Sequence, residues 1–347
     1  MKKMTIVLED GNCWSGMGNG GFASGEVVFT TASSGYPQAI SDPSFAGQII
    51  VFAFPMVGNY GVDEDLLESN RPWARAVLSG SVEAGDSLGP RLEEWLAGYE
   101  IPLVTGVDTR SLVRHIRTRG ALQGAVAPAG EKTVFETTDV HPVEEVSVAV
   151  PEVTEGTGKT IVVIDYGLKH GIKRELVKKG CRVVRLPHDS SKDEILSWCP
   201  DGILMGNGPG DPSLLEKQIK VASSLAGEVP VGGICLGLQI MALACGASTY
   251  KLPFGHRGEN HAVIDLRSGR GLVTSQNHGY AVSENSLEGT GLEVTHRNLA
   301  DGSVEGVRSV ERQVLAVQYH PEGSPGPADG EVFFEEFLSM CERSSSR

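Results

Sequence analysis

Between Thr160 and Cys245, short runs of β-branched apolar residues alternate with helical stretches, and this alternation restricts the fold more tightly than any other feature of the chain. The runs Thr160 to Asp165 (TIVVID), Arg182 to Leu186, Gly202 to Met205 and Val229 to Ile234 have the near-continuous hydrophobicity of strands buried on both faces. Stretches over roughly Lys169 to Lys179, Lys192 to Trp198, Pro212 to Ala226 and Leu236 to Cys245 read as the helices that follow them. Strand and helix repeated in this way predict an α/β fold with a doubly wound, mostly parallel sheet.

The first part of the chain has a different texture. Its β-type runs, Thr5 to Leu8, Glu26 to Thr31 and Gln48 to Phe54, are separated by glycine-rich turns, and helices are predicted near Pro90 to Ala97 and over Arg110 to Arg117. The second helix carries Leu112, Val113 and Ile116 on one side and Arg110, Arg114 and Arg117 on the other. That cationic side is either a solvated face or a contact for an anionic ligand or acidic partner. From about Pro128 to Lys159 regular periodicity is lost, and the domain boundary is placed there. A chain of 347 residues suits two domains. The expectation is a smaller mixed α/β domain over 1–150, followed by the doubly wound domain over 159–347.

Composition removes several classes of function. The 44 acidic against 30 basic side chains give a formal charge of −14, which opposes the phosphate neutralisation that nucleic-acid binding needs. No apolar run approaches the roughly eighteen residues of a membrane span. Lys2 and Lys3 are followed by too short an apolar stretch, ended by Glu9 and Asp10, for a secretory signal, so cytoplasmic residence is expected. Six scattered cysteines without a CxxC pair read as reduced thiols, not as a disulfide framework or zinc site.

Three motifs have a chemical look without the context that chemistry requires. Gly16, Gly18 and Gly21 satisfy G-x-G-x-x-G, but a β-type run follows where a dinucleotide fingerprint needs a helix. Gly158-Lys159-Thr160 ends like a P-loop, yet Val153 stands where the first glycine belongs and a strand follows. His256 and His261 flank Gly258 at a spacing open to metal ligation, loop packing or partner contact; with no third ligand nearby, no metal is expected.

Cys235 stands apart. In Gly232-Gly233-Ile234-Cys235-Leu236-Gly237-Leu238-Gln239 a buried strand turns into a helix, with glycines two residues before and two after the cysteine. This is the pattern of a nucleophile elbow, where small neighbours let a tight turn lift the side chain clear of the sheet. The helix N-terminus beneath it favours a thiolate and offers backbone N–H groups to an oxyanion. A nucleophile needs a base and the base an orienter. Val314 to Tyr319 reads as a strand, and His320 and Glu322, two residues apart just beyond it, project to one side. Cys245, on an apolar helix face, is read as structural. The loop Gly206-Asn207-Gly208-Pro209-Gly210-Asp211-Pro212 follows another strand on the same sheet edge. It should meet the elbow, either as an oxyanion donor or as an ordinary Gly/Pro turn.

With these pieces the sequence resembles a class I, or triad-type, glutamine amidotransferase, with GGICLGLQ as nucleophile block, GNGPGDP as oxyanion-loop block and YHPE as His/Glu block. In the first half VLEDGNCWSG, GEVVFTTASSGYPQAISDPSFAGQIIVFAFPMVGNYG and GVDTRSLVRHIRTRGALQGAV resemble the N-terminal domain of the carbamoyl phosphate synthetase small subunit, a family that NHGYAV and HPEGSPGP also fit. The resemblance implies Cys235 as nucleophile, His320 as acid/base and Glu322 as its orienter. It implies a glutamine site of Ser44, Gly208, Gly210, Leu236, Gln239, Asn277, Gly279 and Tyr280, with the N–H groups of Gly208 and Leu236 as oxyanion donors. It further implies a large partner subunit that uses ATP and bicarbonate, with no cofactor held by this chain. A free cysteine hydrolase of γ-glutamyl compounds is the rival that the additional N-terminal domain disfavours, and the intact Cys235, His320 and Glu322 disfavour a non-catalytic scaffold.

Cys235→Ser is expected to abolish glutamine hydrolysis while the protein stays folded and its partner still uses free ammonia, because a serine hydroxyl beside His320 is a far weaker nucleophile than a thiolate. Near-normal turnover in the serine variant would remove Cys235 from the role.

Overall fold

Val27, Ile49, Val51 and Leu78 pack into one apolar cluster and Val28, Ile50, Phe52 and Val77 into another, as neighbours on strands whose side chains alternate between two covered faces. The computed structural model describes residues 1–135 and 141–345. Within it the chain divides into two units, Met1–Val140 with Leu252–Gly258, and His141–Lys251 with Glu259–Arg347.

The N-terminal unit contains strands β1 (Lys2–Leu8), β2 (Cys13–Gly18), β3 (Ala23–Thr30), β4 (Gln48–Phe52), β5 (Met56–Val57), β6 (Ala76–Leu78), β7 (Ser81–Val82), β8 (Leu103–Thr105) and β9 (Leu122–Pro128), with helices α1 (Tyr36–Ser41), α2 (Leu92–Gly98) and α3 (Thr109–Arg119). Seven of the strands close into a barrel in the order β1-β2-β8-β6-β4-β3-β9, and β5 pairs with β7. Closure leaves that sheet without an edge. Leu112 and Ile116 of α3 are buried in one apolar cluster, Leu92, Trp95 and Leu96 of α2 in the other, and Arg110, Arg114 and Arg117 of α3 are exposed. The mixed α/β domain expected here is thus built on a barrel. Strand β2, which the sequence reading did not find, holds two of the three fingerprint-like glycines. A Cβ at Gly16 would stand 2.6 Å from the Thr105 carbonyl oxygen, and one at Gly18 would stand 2.7 Å from that of Leu103. Close strand packing accounts for these glycines.

The C-terminal unit begins with α4 (Pro142–Val146) and β10 (Glu152–Thr154), then runs β11 (Thr160–Asp165), α5 (His170–Lys178), β12 (Arg182–Pro187), α6 (Lys192–Ser197), β13 (Gly202–Met205), α7 (Glu216–Leu225), β14 (Val231–Ile234) and α8 (Leu236–Ala244). It ends with β15 (Thr249–Asp265), β16 (Gly271–Val282), β17 (Glu293–Asn298), β18 (Val304–Ser309), β19 (Val314–Val317) and α9 (Val332–Ser345). The sheet order is β10-β12-β11-β13-β14-β19-β18-β17-β15-β16. The five strands β12, β11, β13, β14 and β19 are mutually parallel, whereas β18, β17 and β15 extend the sheet antiparallel. The parallel core is as expected; the antiparallel extension was not read, because β16 buries Thr274, Ser275, Gln276, Asn277 and His278, a run without an apolar pattern.

Both faces of the parallel core are covered. Val162, Ile164, Ile203 and Met205 pack with α7 and α8, while Ile161, Val163, Leu204 and Val317 pack with α5 and α9. The units part at Val140 and His141, within the stretch from Pro128 to Lys159 where periodicity is lost, and ahead of the 150 and 159 limits expected for the two domains. Val143 of α4 is fully buried in the core of the C-terminal unit, and the Val148 N–H donates to Asp165 Oδ2 at 2.7 Å. These elements are too short for periodicity to reveal. His256 and His261 lie on the single extended strand β15, His256 buried and His261 half-buried. All six cysteines are free thiols, and among the described residues no helix is long and apolar enough to cross a membrane.

Phe337 of α9 is fully buried against Gly232 of β14, where an added Cβ would approach its ring to 3.0 Å. Phe337→Ala should therefore cost about 3–5 kcal/mol of stability, read from urea unfolding; a loss below about 1 kcal/mol would mean that this face repacks freely.

Candidate active site

The parallel strands β11, β13, β14 and β19 deliver four loops to their carboxyl ends, the edge where an open α/β sheet forms its ligand crevice. Those loops begin with Tyr166 to Lys169, Gly206 to Asp211, Cys235, and Gln318 to Glu322.

Cys235 joins β14 to α8 with φ 56° and ψ −104°, a conformation that residues other than glycine rarely adopt. Its N–H donates to the Val317 carbonyl at 2.8 Å, tying the elbow to β19, and its carbonyl accepts from the N–H groups of Leu238 and Gln239. The flanking glycines are required by contact. A Cβ at Gly233 would lie 2.8 Å from the Gly237 carbonyl carbon, and one at Gly237 would lie 2.1 Å from the Met205 carbonyl oxygen. The thiol donates to the Asn277 carbonyl at 3.6 Å and accepts from Gln318 Nε2 at 3.5 Å. Other thiols are chemically quieter: burial pushes Cys181 and Cys245 up and Cys341 up to about 12.

His320 is anchored by its N–H donating to the Ser275 carbonyl at 2.9 Å, and its Nδ1 meets Glu322 Oε1 at 2.8 Å. Both side chains are buried; the two residues lie beyond the end of β19, in a turn where the His320 carbonyl accepts from the Gly323 N–H at 3.2 Å, and not on an extended strand. The same Glu322 oxygen accepts from Lys169 Nζ at 2.7 Å, the lysine side chain being only 4% exposed. Burial is the largest single influence on His320 and would push it down, as would the nearby Lys169 charge, but the Glu322 carboxylate and the adjoining Cys235 thiol together outweigh them and raise the imidazole to about 10. Burial would likewise raise Glu322, yet Lys169 and His320 hold its carboxyl far below the usual range. His320 Nε2 has no hydrogen-bond partner among the described residues. With Nδ1 committed to Glu322, Nε2 is the ring atom left for proton transfer.

The glycine loop meets the elbow, since a Cβ at Gly208 would come 2.9 Å from Leu236 Cδ2 and 2.2 Å from the Tyr166 carbonyl oxygen. Asn207 Oδ1 accepts from the Lys169 N–H at 3.1 Å, joining this loop to the one after β11. Gly210, at φ 92°, lies under the ring of His141, whose Nε2 meets the Asp211 carbonyl at 3.1 Å. Gln239 Nε2 donates to the Tyr280 carbonyl at 2.8 Å and to Gln318 Oε1 at 3.0 Å, and Asn277, Gly279 and Tyr280 lie together on β16. Ser44 belongs to the N-terminal unit, in the 3-10 turn Pro43–Phe45, where its N–H donates to Asp42 Oδ1 at 2.9 Å.

Lys169, Gln318 and His141 were not singled out from the sequence. A lysine just after a buried strand's carboxyl end, in Asp165-Tyr166-Gly167-Leu168-Lys169, was the one available signal, because lysine is almost never this buried without a partner. Asp165 Oδ1 accepts from the Gly167 and Leu168 N–H groups at 2.9 and 2.7 Å, which shapes the turn that presents it.

A thiol on a strained strand-to-helix elbow, backed by a buried His–Glu pair at the carboxyl edge of a parallel sheet, defines a class I glutamine amidotransferase domain. The sequence model described as "Glutamine amidotransferase class-I" matches residues 162–340, and that described as "Carbamoyl-phosphate synthase small chain, CPSase domain" matches residues 6–126. Similar curated proteins are the carbamoyl phosphate synthase small chains of Bacillus caldolyticus, 44% identical over 97% of this chain and 96% of that one, and of Staphylococcus epidermidis, 43% identical over 98% and 96%. The chain belongs to the carbamoyl phosphate synthase small chain family.

The raised His320 has a consequence for stability. Its proton is held more firmly in the folded chain than in the unfolded one, whose imidazole titrates near 6.5. Its contribution is therefore complete below about pH 6.5 and lost as pH rises towards 10. Unfolding free energies from pH 6 to 10 should fall more steeply for wild type than for His320→Gln, and parallel curves would show that the folded ring is not protonated.

Proposed function

We propose that this chain is the glutaminase subunit of a carbamoyl phosphate synthase: it hydrolyses L-glutamine through a cysteinyl thioester and supplies ammonia to a large subunit. That subunit would use ATP and bicarbonate to make carbamoyl phosphate for pyrimidine and arginine biosynthesis. This chain itself needs no cofactor in the scheme, and we infer a cytoplasmic location. The observation that carries the reading is the meeting of Cys235, at its strained elbow, with His320 of the buried His320–Glu322–Lys169 cluster. Near-complete alignment with small chains named for this complex supports the same assignment.

In this scheme the Cys235 thiolate attacks the side-chain amide carbon of glutamine and the electron pair moves to the oxygen, held by the N–H groups of Gly208 and Leu236. Collapse expels ammonia with a proton from His320 Nε2 and leaves a thioester. Water, deprotonated by His320, then adds to the thioester carbon, and the second oxyanion collapses to glutamate and a free thiolate. Ser44, Gly208, Gly210, Leu236, Gln239, Asn277, Gly279 and Tyr280 bind the substrate. Ammonia released into bulk water would be protonated and lose its nucleophilicity, so the reaction is productive only when coupled to the partner.

The test is glutamine-dependent carbamoyl phosphate formation by the chain co-purified with its large subunit, together with single-turnover trapping of the thioester. Glu322→Gln should form thioester more slowly than wild type but outperform Cys235→Ser by one to two orders of magnitude or so, as an orienter does relative to a nucleophile. It should also lose stability, because Lys169 would keep a buried charge without its anion. Absence of glutamine-dependent product in the intact complex, with ammonia-dependent synthesis preserved, would overturn the proposal.

A further inference from the structure

Gln318 is fully buried two residues before His320, and a chain of hydrogen bonds fixes the orientation of its amide. The Tyr280 backbone carbonyl can only accept, so the Gln239 atom 2.8 Å from it is the nitrogen. That nitrogen donates its second hydrogen to Gln318 at 3.0 Å, which makes the Gln318 atom there the oxygen. The remaining amide atom, Nε2, therefore carries the hydrogens that meet Cys235 Sγ at 3.5 Å. The sulfur's other polar neighbour, the Asn277 carbonyl at 3.6 Å, accepts a thiol proton but repels a thiolate.

We propose that Gln318 is a catalytic residue, an N–H donor that stabilises the sulfur as a thiolate at both ends of the reaction. Before attack it favours the anion whose electron pair forms the S–C bond. In thioester hydrolysis, when the water oxygen has bonded to the carbon and the S–C bond breaks, the electron pair returns to the sulfur, and Gln318 Nε2 meets that charge. His320 handles the protons throughout. A neutral amide suits this place because it cannot compete for them. The inference rests on the reading of Cys235 as the nucleophile and adds a role to Gln239, which holds Gln318 in the productive orientation. The ionisable groups on the surrounding elements are His320, with Glu322 and Lys169 behind it, and the His278–Glu305 pair at 3.9 Å on β16 and β18.

The test compares wild type with Gln318→Met, which keeps side-chain length but has no N–H, and with Gln318→Glu, which keeps shape and the acceptor for Gln239. Alkylation of Cys235 by iodoacetamide is followed against pH in the full chain, alongside thioester formation from glutamine. A hydrogen bond to a charged acceptor is worth about tenfold or more in equilibrium. Gln318→Met should thus move the alkylation midpoint up by about one pH unit and slow thioester formation at pH 7 about tenfold, with KM changed less than about threefold. Gln318→Glu should shift the midpoint further in the same direction. Thermal unfolding identifies the folded variants, and either one is decisive. An unmoved midpoint in a folded variant, while glutamine still protects wild-type Cys235 from alkylation, overturns the role of Gln318 alone. A wild-type Cys235 that glutamine fails to protect overturns the nucleophile reading instead.

Discussion

A left-handed turn at a residue that is not glycine governs the C-terminal unit. Cys235 at φ 56° stores strain of order 1–3 kcal/mol, and the surrounding contacts are what enforce it. Gly233 and Gly237 bring the strand and helix backbones within van der Waals distance of each other and of β13, while the Cys235 N–H is bound to β19. The elbow therefore depends on three neighbouring parallel strands at once. Changing any of these close approaches would let the turn relax, and the thiol would move off the helix N-terminus.

Electrostatics complete what the backbone begins. Lys169, Glu322 and His320 form a buried line of charges in which a single carboxylate oxygen is shared by two cationic partners. Burying such groups is costly, and the cost is recovered only when each charge is met at close range. With Glu322 ionised and both partners protonated the line carries a net positive charge beside Cys235. Asp165 and Asn207 take part indirectly, by fixing the loop that brings Lys169 to Glu322.

The N-terminal unit shows how much a glycine pattern can mislead without its context. Gly16 and Gly18 satisfy the spacing of a phosphate-binding loop, but their missing side chains serve the contact between β2 and β8 inside a closed barrel. The requirement for a following helix was the correct reason to reject the motif. The exposed arginines of α3 keep both readings of that face, solvated or partner-directed.

The chain's own order of residues determined everything that rests on neighbours along the backbone. The strands Thr160–Asp165 and Gly202–Met205, the helices packed over them, the elbow at Cys235 and the pairing of His320 with Glu322 all follow from periodicity or from two-residue spacing, and each is legible locally. Tertiary structure alone decided what happens where distant loops converge. Lys169 reaches Glu322 across 153 residues and Gln318 reaches Cys235 across 83, joined only because β11, β13, β14 and β19 lie side by side in the sheet, β14 pairing with β19 although β15 to β18 intervene in sequence. The same reason hid β16, whose polar residues are buried by strands and helices that precede or follow it, and placed the division between the units at a short helix that buries Val143 and Val146. Local chemistry is written in adjacent residues; convergence at a strand edge is a property of the fold.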